Sequence, residues 1–267
     1  MSSKHQPIPH FGHPIIETHC HLDYLKTKPL DAILAEAFAI GVERIITIGV
    51  SPDNQNAVLE LARTHEKVWG TQGIHPHDAR LFNDEIAAIM LENLRDEKIV
   101  AVGETGLDYF YEHTDRPTQQ KVFETQLQWA VDHQLPVVIH TRDADEDTQA
   151  ILKNFSGRLT RGGVIHSFTS SLALAEFCIA EGFCIGFNGI ATFNKAENVR
   201  EVAAATPLDR ILMETDAPSL TPIPYRGREN SPAYLPFIAQ TLAKVKSVDI
   251  DMLLSHCYNN SLRVFFS

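Results

Sequence analysis

The 267-residue chain is poor in cysteine and has no long apolar run, and both absences narrow its class. Its four cysteines are scattered and form no pair of CxxC motifs, which favours reduced thiols over a zinc ribbon or a disulfide framework. No stretch approaches the roughly 18 apolar residues of a membrane span. The N-terminal residues also lack the apolar core of a secretory signal, so we expect a cytoplasmic protein with no membrane association.

Basic residues are also in short supply. The chain carries 23 Lys and Arg against 34 Asp and Glu, a formal net charge of −11. Proteins that coat nucleic acid through bulk electrostatics cluster Lys and Arg, so this class is disfavoured. An enzyme that acts on phosphate esters is still compatible with the charge, because bound divalent cations supply positive charge where a phosphate needs it.

The chain contains no linker rich in Gly, Pro or Ser, and it contains no short-period repeat. Its length is ordinary for one α/β barrel, which typically needs about 250 residues. We therefore expect one domain over residues 15 to 267, preceded by a flexible extension over residues 1 to 14.

Eight short, β-branched apolar runs alternate with helical patterns along the chain. The runs end near His21, Gly49, Ile74, Glu104, His140, His166, Asn188 and Asp216. Their mean spacing of about 28 residues is close to the roughly 30 residues of one βαβ unit. The alternation predicts an α/β fold of the (β/α)8 TIM-barrel type, with a parallel sheet inside and helices outside.

Amphipathic patterns predict four of the helices in particular. These are residues 29 to 40, 53 to 65, 83 to 95 and 117 to 133. Asn83 is a favourable N-cap for the third helix, and Pro117 suits the first turn of the fourth.

Ligand-type side chains stand at the ends of five apolar runs. They are His19 and His21, Glu104, His140, His166, and Glu214 with Asp216. Because the carboxyl ends of parallel strands meet at one mouth of a barrel, we expect these groups to converge there and share metal ions. The pair His19 and His21 alone is equally compatible with a structural role, but five such positions together favour a metal site.

Other residues near the same mouth are candidates for contact with a substrate. His75 and His77 follow the third run, where an imidazole can donate a hydrogen bond to a phosphate oxygen, although His77 is equally suited to a turn. Arg142 can form a forked contact with phosphate or brace a neighbouring aspartate. Tyr109 or Phe110 can stack on a base, but packing is the commoner role of such a pair.

Six motifs in fixed order resemble those of the TatD family of metal-dependent deoxyribonucleases, which belong to the amidohydrolase-like barrels. The resemblance extends from Ile15 to about Phe265. The motifs are Glu17–Asp23, Gly73–His77, Val102–Asp108, His140–Ala144, Val164–Thr169 and Met213–Pro218.

The resemblance implies two divalent cations, Mg²⁺, Mn²⁺ or Zn²⁺, with Glu104 bridging them. The implied ligands are His19, His21 and Asp216 for one ion and His140 and His166 for the other. Asp216 is then the candidate to orient or deprotonate the attacking water, which makes Asp216 and Glu104 the expected catalytic residues. We expect Glu17 and Glu214 to fix the orientation of the ligands.

The chain departs from the family pattern at a few positions. Glu17 stands where relatives commonly carry Asp, which lengthens a side chain near the metals. After the eighth run, Arg226 and Arg228 offer positive charge to a substrate, but Glu229 takes a basic place of the pattern and Ser231 an acidic one. The loop therefore leaves substrate preference open.

The resemblance implies a TatD-like barrel that cleaves nucleic-acid phosphodiester bonds through a water activated by two metals. It further implies a 3′-5′ exonuclease on single-stranded or frayed DNA, and no obligate protein partner is evident in the sequence. One alternative is a metal-dependent esterase or amidase such as a D-aminoacyl-tRNA deacylase. Another is a non-catalytic nucleic-acid-binding barrel, which the complete set of ligand residues disfavours.

Overall fold

A computed structural model describes residues 6 to 267 and contains one eight-stranded parallel sheet whose strands pair in chain order. The strands are β1 (Ile15–Cys20), β2 (Val42–Thr47), β3 (Val68–Gln72), β4 (Ile99–Asp108), β5 (Val137–Arg142), β6 (Gly163–Ile165), β7 (Phe183–Phe187) and β8 (Ile211–Met213). A helix follows each strand, so the predicted (β/α)8 barrel is confirmed.

The helices of the described chain surround the sheet. They are α1 (Leu30–Ala39), α2 (Gln55–Thr64), α3 (Asp84–Asn93), α4 (Arg116–His133), α5 (Asp145–Phe155), α6 (Leu172–Ala180), α7 (Glu197–Ala205), α8 (Leu235–Lys246) and α9 (Ile250–Phe265). The four helices predicted in particular lie within two residues of their expected bounds. The Asn83 side chain caps α3 by accepting from the Ile86 N–H at 2.9 Å, and Pro117 lies in the first turn of α4.

Hydrogen bonds between the ends of β8 and β1 close the barrel. The Thr18 hydroxyl donates to the Met213 carbonyl at 2.7 Å, and the Asp216 N–H donates to the His19 carbonyl at 2.9 Å. These bonds lock the two segments that carry His19 and Asp216 side by side.

The barrel interior is filled by apolar residues below the mouth. Val138, Val164 and Leu212 belong to one buried cluster, and each stands two residues before a residue of the predicted site. Because alternate residues of a strand face the same side, His140, His166 and Glu214 form the next layer toward the mouth. The larger apolar cluster includes residues from both strands and helices.

Strand β4 does not end near Glu104, so that expectation was wrong. It continues to Asp108, because residues 105 to 108 pair with residues 139 to 142 of β5 after a register shift between Gly103 and Thr105. Glu104 consequently lies within the strand, and Asp108 extends the same strand into the mouth.

The predicted flexible extension over residues 1 to 14 falls partly outside the described residues, which begin at residue 6. In the described part, Phe11 packs against the core, and the Tyr225 hydroxyl donates a hydrogen bond to the Gln6 carbonyl. No helix within residues 6 to 267 is both long and apolar enough to cross a bilayer.

Candidate metal centre

Glu104 stands at the middle of the site, and its two oxygens face different histidines. Its Oε1 lies 3.2 Å from His19 Nε2. Its Oε2 lies 2.8 Å from His166 Nε2 and 3.2 Å from His140 Nδ1. Glu104 is 3% exposed, so its carboxylate lies between two groups of ligand-type atoms inside the protein.

Asp216 completes the group on the Oε1 side of Glu104. Its Oδ1 lies 3.2 Å from His21 Nε2 and 3.4 Å from His19 Nε2. Asp216 has a φ of +57°, in the left-handed region that Asp tolerates better than most residues. The chain therefore turns sharply where β8 delivers its carboxylate to the mouth.

Two further carboxylates contact the histidines on the Oε2 side of Glu104, each at the ring nitrogen that faces away from Glu104. Glu214 Oε2 lies 3.2 Å from His166 Nδ1, and Asp108 Oδ2 lies 2.8 Å from His140 Nε2. A carboxylate behind a ligating imidazole fixes the ring and leaves the opposite nitrogen free for the metal. The free nitrogens are thus His166 Nε2 and His140 Nδ1, the two that face Glu104.

Asp108 was not predicted as a residue of the site. Its signal was its position four residues after Glu104, since residues four apart on one strand face the same side. Because β4 was expected to end near Glu104, Asp108 was not recognised as a residue of the same strand.

Glu17 binds the backbone that carries the ligands. Its Oε1 accepts from the N–H groups of His19 at 3.1 Å and Thr215 at 2.9 Å, and its Oε2 accepts from the Thr215 hydroxyl at 2.5 Å. Burial raises the pKa of Glu17 to about 8. The longer side chain at this position therefore joins β1 to the segment after β8.

The electrostatics of the site favour ionised carboxylates. Burial raises the pKa of Glu104, but the neighbouring His166 ring and other imidazoles outweigh it, so this pKa lies well below its usual range. Burial also raises the pKa of Asp216, but contacts with histidines, above all His19, outweigh burial. The pKa of Asp216 therefore lies below its usual range. For His19, burial and His166 lower the pKa, while Asp216 and Glu104 outweigh them and raise it to about 9.

The donor set fits divalent cations. Ligand-type atoms approach within 4.8 Å of one another in three groups, namely His19, His21 and Glu104; His19, His166 and Glu214; and His75, Glu104 and His140. Among the described residues, both ring nitrogens of His19 and Nδ1 of His21 are buried without a well-aligned hydrogen bond. Unsatisfied buried nitrogens beside ionised carboxylates are the arrangement that a bound Zn²⁺ or Mn²⁺ completes.

His75 belongs to the third group, but its neutral ring is a hydrogen-bond donor at Nε2. Its Nδ1 accepts a hydrogen bond from the His77 N–H at 3.1 Å, so in the neutral ring the proton is on Nε2. Burial and the nearby His140 lower the pKa of His75 to about 4, which keeps the ring neutral. Its Nε2 lies 3.3 Å from Glu104 Oε2, so this nitrogen is close to the centre of the site.

A cleft of about 1210 Å³ opens over these groups. We use the name cleft for the cavity lined by His21, Tyr24, His75, Tyr111, Arg142 and Asp216, among others. Two of the four residues predicted to contact substrate, His75 and Arg142, line it. Arg226 lines a neighbouring pocket instead, and the Arg228 guanidinium lies 5.4 Å from the centre of the Tyr225 ring.

Of the aromatic residues after β4, Tyr111 lines the cleft, whereas the expected Tyr109 and Phe110 are not among its lining residues. The Tyr109 hydroxyl donates to Asp147 at 2.6 Å, which holds that ring in place. Phe110 and Tyr111 are 53% and 51% exposed, and the Arg142 guanidinium lies 4.0 Å and 5.1 Å from the centres of their rings. Tyr111 was not predicted, because its loop carried no periodic signal.

The departures from the family pattern after β8 have structural roles. Glu229 accepts hydrogen bonds from the N–H groups of Lys26 at 2.8 Å and Thr27 at 3.0 Å, which ties this loop to the one after β1. The Ser231 hydroxyl accepts from the Ala233 N–H at 3.2 Å. Neither residue lies among those that line the cleft within the described chain.

Comparison with known proteins finds similarity over the whole barrel. A model of the family described as TatD related DNase matches residues 16 to 266. The uncharacterized metal-dependent hydrolase YabD of Bacillus subtilis (strain 168) is 35% identical over 252 residues, which cover 94% of this chain and 98% of that protein. The 3′-5′ ssDNA/RNA exonuclease TatD of Erwinia tasmaniensis is 35% identical over 244 residues, which cover 89% and 94%.

A solved structure agrees with the sequence comparison. The crystal structure of YJJV, a TatD homolog from Escherichia coli K12, has a TM-score of 0.84 and 32% identity to this chain. The match covers 95% of this chain and 98% of that one. The similarity thus includes every strand that contributes to the site.

Proposed function

Because the chain belongs to the TatD-related DNase family and is a metal-dependent hydrolase, we propose that it hydrolyses phosphodiester bonds of single-stranded nucleic acid with two divalent cations. The proposed direction is 3′ to 5′, on single-stranded or frayed DNA ends. This direction follows relatives named as 3′-5′ ssDNA/RNA exonucleases.

The observation that carries the proposal is the division of ligand-type atoms on either side of Glu104. We assign His19, His21 and Asp216 to one cation and His140 and His166 to the other, with one oxygen of Glu104 toward each. When bound, a pair of such ions polarises a phosphoryl oxygen and makes water a stronger nucleophile at neutral pH.

The protein's own side chains then position the reactants. We propose that Asp216, ionised and beside His19 and His21, orients the attacking water and accepts its proton. The Nε2–H of His75 is placed to donate to a non-bridging phosphate oxygen, where negative charge grows in the transition state.

The wall of the cleft supports a nucleic-acid substrate. Tyr111 lines the cleft and Phe110 precedes it in the same loop; both rings are about half exposed and can contact unpaired bases, and Arg142 adds positive charge beside them. A paired duplex presents no free base faces, so these rings favour a single strand.

A substrate comparison tests the proposal. Protein stripped of metal is supplied with Mg²⁺, Mn²⁺ or Zn²⁺ singly and mixed with 5′-labelled single-stranded DNA or with D-aminoacyl-tRNA. We expect metal-dependent shortening of the DNA from its 3′ end and an intact ester. Ester cleavage with untouched DNA would favour the deacylase alternative, and DNA binding with no cleavage under any metal would favour the binding barrel.

The variant Glu104→Gln tests whether the cleavage comes from this site. We expect a loss of at least about 100-fold in kcat, since the metal pair contributes several kcal/mol of transition-state stabilisation. Glu176→Gln, at an exposed position of α6, is the matched control and should keep the parental rate. Parental activity in Glu104→Gln would assign the cleavage to another source.

A further inference from the structure

A second cavity adjoins the cleft on the side of β7 and β8. Its volume is about 550 Å³, and it shares Thr169 and Ile190 with the cleft. We call it the side pocket. The other residues that define its chemistry are Phe193, Asn194, Lys195, Asn198 and Arg226.

The side pocket contains an aromatic face covered by a guanidinium. The Arg226 guanidinium carbon lies 3.9 Å from the centre of the half-buried Phe193 ring. A guanidinium stacked on a ring presents its own outer plane for a further flat group, and nucleobases stack on both aromatic rings and arginine planes. The pocket therefore offers a stacking surface that also carries positive charge.

The loop that carries Phe193 is held in place by its own chain. Arg200 donates to the carbonyls of Ala191 at 3.1 Å, Phe193 at 2.5 Å and Asn194 at 3.1 Å. The Thr192 hydroxyl accepts from the Ile223 N–H at 3.0 Å, which ties this loop to the loop of Arg226. Both walls of the side pocket are thus fixed before any ligand arrives, which lowers the entropic cost of binding.

The lining residues of the side pocket differ in charge from those of another cavity that adjoins the cleft. That other cavity shares Thr169 with the cleft, but its lining includes Asp143, Asp145, Glu146, Asp147 and Glu201. The side pocket is lined by the cations Lys195 and Arg226 and by no acidic residue of the described chain. A polyanionic strand that leaves the metal centre is repelled by the first cavity and attracted by the second.

We propose that the side pocket binds the base of a nucleotide adjacent to the scissile phosphate, stacked against the Phe193 and Arg226 pair. Asn194 and Asn198 line the pocket and can offer their amides to the edge of that base, and Lys195, also in the lining, can contact its phosphate. This inference rests on the proposed cleavage of single-stranded nucleic acid and specifies where the strand runs.

Single abasic sites in the DNA test the inference. Oligonucleotides with one abasic residue, moved through the positions on both sides of the scissile bond, are cleaved by the metal-loaded wild-type enzyme and by Phe193→Ala. We expect one abasic position to raise KM about 10-fold with the wild type. Phe193→Ala should raise KM on intact DNA by a similar factor, with no added effect of that abasic residue.

Controls separate stacking from folding and from chemistry. Phe193→Tyr keeps the ring and should keep the parental KM, and kcat at saturation should change little. Phe155→Ala removes the ring of another Phe–Arg pair, with Arg158 at 4.9 Å, at the far end of α5, and should behave as wild type. If Phe193→Ala fails to fold by circular dichroism, Arg226→Gln, at an exposed position, replaces it in the same comparison.

The outcomes distinguish this inference from the proposed function. If the enzyme degrades DNA but the abasic and Phe193→Ala effects multiply, or neither changes KM, the side pocket holds no base and the nuclease proposal stands. If the wild type degrades no single strand with any metal, the nuclease proposal fails and this inference fails with it.

Discussion

At the scale of single residues, the site is organised by carboxylates that do not themselves belong to the assigned ligands. Glu214 and Asp108 each hold one histidine by the nitrogen that faces away from Glu104. Glu17 holds the backbone of two ligand-bearing segments. Ligand geometry therefore depends on residues that are buried behind the metal positions.

Glu214 gives the first prediction. Glu214→Gln weakens the hold on His166 and removes one negative charge beside it, so we expect the affinity for one of two metal equivalents to fall about 10- to 100-fold. Competition with a chromogenic chelator measures this, and Glu176→Gln is the control. Two equivalents bound with parental affinity would contradict the role assigned to Glu214.

Glu17 gives the second prediction. Glu17→Ala leaves the N–H groups of His19 and Thr215 buried without acceptors, and we expect the free energy of unfolding to fall by about 2 to 4 kcal/mol. Urea denaturation measures the change. Glu36→Ala, which removes an exposed pair with Lys28, should cost no more than about 1 kcal/mol. Equal costs for the two variants would show that Glu17 does not join β1 to β8.

Residue types at the strand ends were readable from the sequence, whereas side-chain partners were not. The convergence of His19, His140 and His166 follows from strand order alone. The pairing of Asp108 with His140 depends on how far β4 continues past its irregularity, and no local pattern encodes that.

At the scale of elements, β4 and β5 form the longest paired section of the barrel and carry Glu104 and His140. Gly106 pairs with His140 of β5 and has a φ of +143°, which disfavours other residues. Helix bounds were predictable because caps such as Asn83 are local signals. The extent of β4 was not predictable, because Gly and Thr interrupt its apolar pattern and its last residues depend on pairing with the distant strand β5.

Gly106 gives the third prediction. A Cβ at this position would lie 1.8 Å from the His140 carbonyl oxygen, so the strands must separate to admit it. We expect Gly106→Ala to reduce the free energy of unfolding by at least about 2 kcal/mol.

Gly157→Ala is the matched control for Gly106→Ala. A Cβ at Gly157 would meet no atom within 4 Å, so the change should stay within about 0.5 kcal/mol. Urea denaturation of both variants gives the comparison, and a neutral Gly106→Ala would disprove the close approach of β4 and β5.

At the scale of the whole molecule, the chain carries a net charge of −11 and buries ionised carboxylates at the mouth of its barrel. Divalent cations bound to the folded state alone would stabilise it by mass action. The barrel was predictable from the regular alternation of runs, which fixes topology without fixing any single contact. The cytoplasmic location stays a prediction from composition.

Metal-dependent stability gives the fourth prediction. At about 100 times Kd, one bound ion adds about 2.7 kcal/mol of stability, so we expect Zn²⁺ or Mn²⁺ to raise Tm by several degrees over chelator-treated protein. Differential scanning calorimetry measures the shift, and Glu104→Gln should lose most of it. An equal Tm with and without metal would mean that the folded protein has no selective affinity for these ions.

In the site that we propose, Glu104 lies between two metal positions. Anomalous diffraction from crystals grown with Mn²⁺ or Zn²⁺ tests it most directly. We expect two peaks on either side of the Glu104 carboxylate, one beside His19, His21 and Asp216 and the other beside His140 and His166. A single peak elsewhere, or none in crystals of active protein, would contradict it.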